Sequence, residues 1–338
     1  MKRIALVFLC AALIAGVFSG CSGMVSSAQN AAETETISVT TFPTEETEAP
    51  DQTVPEETQD LTIISADFKI ALIAENCFDQ RWQDLETGAM KAMEELGCEV
   101  VNMSPWMQND EHQAEQIHEA VSSGCHGIVI APIESEEVAE ALGEAAAAGV
   151  KIICVNTTAD IGAEASFVTD DKTAGRTAAE TLLIELEARE ITEGSIAIIG
   201  MQDDHTGALQ RETGFREVLE ETAFSLLEVQ YCEGDAARAH AIARELMKQE
   251  AVAVFAAGEA AVVGAGNAAK ELKSTAVVVG FGEPGELSEL CDDGYVHALV
   301  VGQYENMGYQ AVRAACAAVS GRDLGGAVTD TGVSVLTE

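Results

Sequence analysis

The chain has 338 residues, with 57 Asp and Glu against 18 Lys and Arg, a formal net charge of -39. Such a field repels polyanions, so nucleic acid is excluded as a partner and an anionic membrane surface offers no electrostatic attraction. The length suits about two domains at roughly 150 residues each, and the scarcity of Pro (6) beside abundant Ala and Gly favours a helix-rich α/β chain over an all-β one.

In chain order, Met1-Lys2-Arg3 gives a positive start and Ile4 to Phe18 an almost unbroken apolar run. At about 15 residues the run is shorter than the roughly 20 that a membrane helix needs, and it suits an export signal. Phe18-Ser19-Gly20-Cys21 resembles the bacterial lipobox, in which small residues precede a cysteine that receives a diacylglycerol and becomes the new N-terminus. Residues 1–20 are therefore read as a signal peptide and Cys21 as a lipidation site; the plainer reading is a secretory signal with a chance cysteine. Residues 21–60 are rich in Thr, Ser, Glu and Pro and carry no Lys or Arg. Such a composition cannot bury enough apolar surface to offset its ordering entropy, so a disordered, self-repelling tether is expected.

From residue 69 short apolar runs alternate with amphipathic stretches. Strands are predicted at 69–75, 98–103, 127–132, 151–156 and 166–169, and a second series at 195–200, 226–232, 253–257, 276–282 and 297–303. Helices fall between them, as at Gln80–Leu96, with Trp82, Leu85, Ala89, Met93 and Leu96 on one face. Continuous apolar strands separated by helices of this length imply parallel sheets covered on both sides. Two series imply two doubly wound, Rossmann-like α/β lobes, with a ligand beyond the carboxyl ends of the strands, in the cleft between lobes. Seven body cysteines, Cys77, Cys98, Cys125, Cys154, Cys232, Cys291 and Cys316, contain no CxxC pair, so neither a disulfide framework nor a zinc site is indicated. Gly264-Ala265-Gly266-Asn267-Ala268-Ala269 fits a dinucleotide fingerprint but lies inside the predicted helix Glu259–Leu272, so helix packing is the better reading. Asp203-Asp204-His205 reads as a solvated charged loop, and no GxSxG, HExxH or P-loop is present. No metal, no cofactor and no enzymatic activity are expected.

Several motifs in order resemble the type I periplasmic binding proteins, close to the ribose-binding branch: Gly88-Ala89, Gly127–Pro132 followed by Glu134-Ser135, Thr169-Asp170-Asp171 with Gly175, Arg211-Glu212-Thr213-Gly214-Phe215, Val279-Gly280-Phe281, Met307-Gly308-Tyr309 with Ala311-Val312, and Asp330-Thr331-Gly332-Val333. The resemblance covers residues 68–338. It implies two lobes joined by three hinge crossovers, near Thr169-Asp170, Val301–Gln303 and Thr331–Ser334. The N-terminal lobe is then 61–169 plus 303–330, and the C-terminal lobe 170–302 plus 331–338.

The resemblance also implies where a solute would be held. The family places an asparagine and two aromatics in the turn after the first strand, and here Asp79 takes the asparagine place, Trp82 one aromatic place and Arg81 the other, with Phe78 nearby. Trp82 is alternatively the first core residue of its helix. Arg211 matches a residue that donates to ligand oxygens, the alternative being an ion pair on an acidic surface. Asn156 and Thr157 end the fourth strand, and Glu259, Phe281 and Gln303 complete the expected ligand set. Ala131, Gly258, Gly282 and Gly302 stand where the ribose branch has Asn, Asn, Asp and Gln. These losses point away from ribose and towards a roomier pocket for a larger, flatter or anionic ligand.

The expected function is that of a monomeric, lipid-anchored solute-binding protein on the outer face of the cytoplasmic membrane. It would capture a sugar-like solute and deliver it to an ABC import permease. The alternative is a sensor presenting the ligand to a membrane histidine kinase or chemoreceptor.

Overall fold

Lys69–Ile73 (β1) is a strand with no polar side, and the computed structural model shows why. Ile70 and Leu72 pack on one face of the sheet, while Ala71 and Ile73 pack on the other. Side chains alternate across a strand, so a run buried on both faces must be apolar throughout. The structure describes residues 67–159 and 161–337. The proposed signal peptide, Cys21 and the acidic tether lie outside the described residues.

In the first lobe β1 is followed by α1 (Gln80–Leu96), β2 (Glu99–Asn102), α2 (Asp110–Ser122), β3 (Gly127–Ile130), α3 (Glu136–Ala147), β4 (Lys151–Asn156) and β5 (Ala165–Val168). The second lobe holds α4 (Asp171–Ala188), β6 (Gly194–Gly200), α5 (Thr206–Leu219), β7 (Phe224–Leu226), β8 (Gln230–Tyr231), α6 (Ala236–Lys248), β9 (Ala251–Ala256), α7 (Glu259–Leu272), β10 (Val277–Phe281), α8 (Pro284–Asp292) and β11 (Ala298–Gly302). The chain then returns through α9 (Tyr304–Val319) and β12 (Ala327–Asp330) to the first lobe and ends on β13 (Val333–Thr337) in the second.

The first sheet is wholly parallel, in the order β12-β5-β4-β3-β1-β2. The second runs β13-β11-β10-β9-β6-β7, with β13 antiparallel to β11 and β8 also paired to β6. Helices α1 and α9 cover one face of the first sheet and α2 and α3 the other. In the second, α6, α7 and α8 cover one face and α4 and α5 the other.

Three passages join the lobes, and hydrogen bonds tie them together. Asp330 Oδ1 accepts from the backbone N–H of Asp170 and of Gly332, each at 2.9 Å. Thr331 donates its backbone N–H and its hydroxyl to the Val168 carbonyl, at 2.8 and 3.1 Å. The Gln303 amide donates to the Val333 carbonyl at 3.3 Å. The hinge is a cross-linked strap in which Gln303 is a strut.

The structure differs from the sequence expectation at residues 226–232, which form two short pieces rather than one strand. Phe224 pairs with Gly194, yet Gln230 pairs with Ile199, so one extra residue is accommodated between them. That is a bulge, which bends the edge of the sheet. The fingerprint-like glycines sit inside α7, where a Cβ on Gly264 would lie 2.6 Å from the Ala236 carbonyl oxygen of α6. They allow two helices to approach and form no nucleotide turn.

Candidate functional site

The turn after β1 is shaped by Asn76, which is buried and accepts from the N–H of Phe78 and of Asp79, both at 3.0 Å. Asp79 precedes α1 but its carboxylate does not cap the helix. It accepts instead from the Asn76 amide at 3.0 Å and from Arg81 at 3.2 Å. Arg81 is thereby held over the Trp82 ring, 4.8 Å from its centroid. The second lobe repeats this device. Arg211 lies over Phe281 at 4.3 Å, donating to Asp171 at 2.6 Å and to the Ala257 carbonyl at 3.2 Å. Each lobe therefore brings to the cleft one guanidinium laid on an aromatic face and anchored by a carboxylate, a combination that fixes both position and charge.

These side chains line a cavity of about 100 Å3, walled by Arg81 and Tyr304 from one lobe and by Arg211, Glu259, Phe281 and Glu283 from the other. A much larger one, of about 890 Å3, also opens between the lobes. Its walls include Glu75, Gln108, Ser135, Asn156 and Thr157 on one side and Asp171, Thr206 and Gln210 on the other. Three pairings stand between the two cavities: Arg81 with Glu75 (4.0 Å), Arg211 with Asp171 (2.6 Å) and Tyr304 with Asn156 (3.4 Å). In each pair the first residue lines the smaller cavity and the second the larger. The two hollows are thus the two sides of one cleft, divided by a polar bar.

The bar sits in a carboxylate-rich, partly dry place. Burial raises the pKa of Glu75 against the opposing pull of Arg81. Glu283 is pushed up to about 7, first by burial and then by repulsion from Asp84 and Glu259, with Arg81 opposing. A carboxyl raised above its unfolded value of about 4.3 holds a proton in the folded state that the unfolded chain has lost. Its contribution therefore favours folding at low pH and declines as pH rises from about 4.3 through about 7. Glu283→Gln is expected to flatten that part of the profile of melting temperature against pH, a slope measurable by circular dichroism between pH 5 and 8.

The model of the periplasmic binding protein domain matches residues 70–323. The chain belongs to the periplasmic binding protein family. It is a type I member, and the two largely parallel sheets and three passages agree with that. The ribose import binding protein of Haemophilus influenzae is 24% identical over 249 residues, covering 72% of this chain and 83% of that protein. A carbohydrate transporter solute-binding protein from Agrobacterium radiobacter, solved with D-arabinose, is 27% identical at a TM-score of 0.66, covering 81% of this chain and 95% of that one. AraP, an arabinose-binding protein from Geobacillus stearothermophilus, superposes at a TM-score of 0.74 with 22% identity, covering 80% and 97%.

In this periplasmic binding protein the residues singled out from sequence do not all meet. Arg81, Arg211, Glu259 and Phe281 line the smaller cavity, and Asn156 and Thr157 the larger. Trp82 is 3% exposed, sits in the lobe core and meets Tyr304 edge-on, so its ring backs the arginine and offers the cleft little face. Phe281, at 6%, likewise lies under Arg211. Asp79 acts on Arg81, and Gln303 is spent in the hinge. Phe78 is exposed and packs against Trp106 instead.

The expectation of a roomier pocket is corrected at the three glycines among the small positions. A Cβ on Gly258 would lie 2.5 Å from Met201 Sδ, one on Gly282 2.8 Å from Leu287, and one on Gly302 2.9 Å from the Tyr304 ring. Neighbouring side chains have taken the space of the missing polar groups. The room lies instead beyond the bar.

Sequence reasoning missed Tyr304, Glu283, Glu75 and Asp171. Tyr304 was the most accessible of these, since it is one of only 4 tyrosines and directly follows the second passage.

Proposed function

We propose that this protein captures a neutral saccharide between its lobes and delivers it to an ABC import permease. The observation that carries the reading is the bar: donors and acceptors from both lobes line it, and hydroxyl and amide side chains such as Asn156, Thr157, Thr206 and Gln210 stand beside it in the larger cavity. A solute bound at that place touches both lobes and so favours their closure, which is how a ligand shifts a two-state hinge. Neutral hydroxyl-bearing molecules suit it better than anions, because both guanidinium groups are already matched by carboxylates. The ribose and arabinose relatives support the same solute class. The role proposed is binding, with no chemical step.

Arg211 is assigned as the donor to ligand oxygens from the second lobe and Arg81 as its counterpart in the first. A thermal-shift series with ribose, arabinose, xylose, galactose and glucose tests the reading. A ligand at 100 times its Kd adds about 2.7 kcal/mol to stability. A clear shift with at least one sugar is expected, and a flat response to all of them counts against a saccharide solute.

We further propose that Cys21 carries the lipid that holds the protein on the outer face of the membrane as a monomer. No helix among the described residues is long and apolar enough to cross a membrane. Cys21→Ser is expected to move the protein into the soluble fraction or leave the precursor uncleaved. Unchanged, detergent-extractable attachment would remove the claim.

A further inference from the structure

Trp106 is 72% exposed and Met107 61%, although the chain has only 2 tryptophans and most large apolar side chains are buried. Trp106 lies on the loop after β2, and Phe78, 44% exposed, on the loop after β1. Their rings meet edge to face at 4.4 Å between centroids. A tryptophan this exposed contributes little to the core, so packing does not account for its place. Both loops leave the carboxyl ends of strands, the edge of the sheet that borders the cleft. Both also supply walls of the larger cavity, through Glu75 three residues before Phe78 and Gln108 two residues after Trp106.

The larger cavity is far bigger than the smaller hollow across the bar and stands near the upper end of ligand pockets, which run from roughly 300 to 1,000 Å3. Its lining mixes apolar side chains such as Ile133, Leu142 and Ile161 with hydroxyl and amide groups such as Thr157, Thr206 and Gln210, and the two loops that carry the paired rings contribute to its walls. Aromatic faces match the C–H patches of sugar rings, and their rigidity costs little ordering entropy on binding. We infer that Trp106, braced by Phe78, is a platform for a second sugar ring, so that the solute is a di- or oligosaccharide whose first ring reaches the bar. This rests on the saccharide reading above and extends it to chain length.

The test is calorimetric titration of the full chain with arabinose, xylose, galactose and glucose and with the di- and trisaccharides built from each. At least one disaccharide is expected to bind more tightly than its monosaccharide by roughly tenfold or more, the scale of a tryptophan anchor in an interface. Trp106→Ala should abolish that gain and leave the monosaccharide affinity in place, while Trp106→Phe should keep part of it. The side chain is so exposed that neither change is expected to disturb folding. Equal affinity for mono- and disaccharides in the unaltered protein, or a gain that survives Trp106→Ala, overturns the platform. Failure of every saccharide of every length is a different result: it removes the saccharide reading itself, and the platform with it.

Discussion

Gly88→Val is expected to destabilise the folded body by about 3 kcal/mol and to lower its melting temperature by roughly 6–12 °C. The reason is a helix crossing with no room for a side chain. A Cβ on Gly88 would sit 1.8 Å from the Glu305 carbonyl oxygen and 2.9 Å from the Tyr309 nitrogen. Reciprocally, one on Gly308 would sit 2.0 Å from the Leu85 carbonyl oxygen. These obstacles are backbone atoms, which cannot rotate aside. Overpacking must therefore pry α9 from α1, and α9 is the segment that returns the chain to the first lobe after the second passage. Gly143 provides the control, because nothing lies within 4 Å of its Cβ position. Gly143→Ala should stabilise the helix by roughly 0.5–1 kcal/mol. Thermal melts of the two variants should move in opposite directions. A Gly88→Val protein that melts with the unaltered one would mean that the α1–α9 crossing is not as tight as described.

Arg211→Ala is expected to weaken saccharide binding by about 10- to 150-fold while lowering the melting temperature of the ligand-free protein only modestly and leaving the fold intact, as read by circular dichroism. Losing a charged hydrogen-bond partner costs about 1.5–3 kcal/mol, which sets that range. The guanidinium has five N–H donors, and its contacts to Asp171 and Ala257 use two of them. The rest of the group borders the cavity. The Asp171 pair orients Arg211 and does not replace a ligand role, so Asp171→Asn should reproduce part of the loss. Calorimetric titration with the sugar giving the largest thermal shift reads both variants. If Arg211→Ala binds that sugar as tightly as the unaltered protein, Arg211 serves only its ion pair with Asp171.

Much of the fold was legible because its causes are local. Apolar runs buried on both faces marked strands, and α1 and α7 have the limits that periodicity assigns them. The motif glycines had a meaning that spacing alone does not show. Gly88 with Gly308, and Gly175 with Gly214, are two crossings at which helices touch backbone to backbone. The bulge before β8 was not legible, since a single extra residue on an edge strand leaves no periodic signature.

The site was legible as a set of loops and less so as a set of roles. Position after a strand located the turn at residues 75–82, and the motif resemblance located Arg211. It could not show that Asp79 would grip Arg81, that Trp82 and Phe281 would lie beneath arginines, or that Gln303 would turn into the hinge. Those outcomes depend on partners distant in the chain, such as Tyr304 for Trp82 and Val333 for Gln303. Glu283 shows the same limit. Its raised pKa arises from burial and from Asp84 on the facing lobe, which no local pattern reveals.

The central claim is that one solute is held by both lobes at the bar. Amide hydrogen exchange, followed with and without the sugar that gives the largest thermal shift, tests it most directly. The account predicts simultaneous added protection in the turn at residues 74–82, in the start of α5 at 205–211 and in the hinge at 168–170 and 330–333. Protection confined to one lobe, with the other lobe and the hinge unchanged, would contradict it.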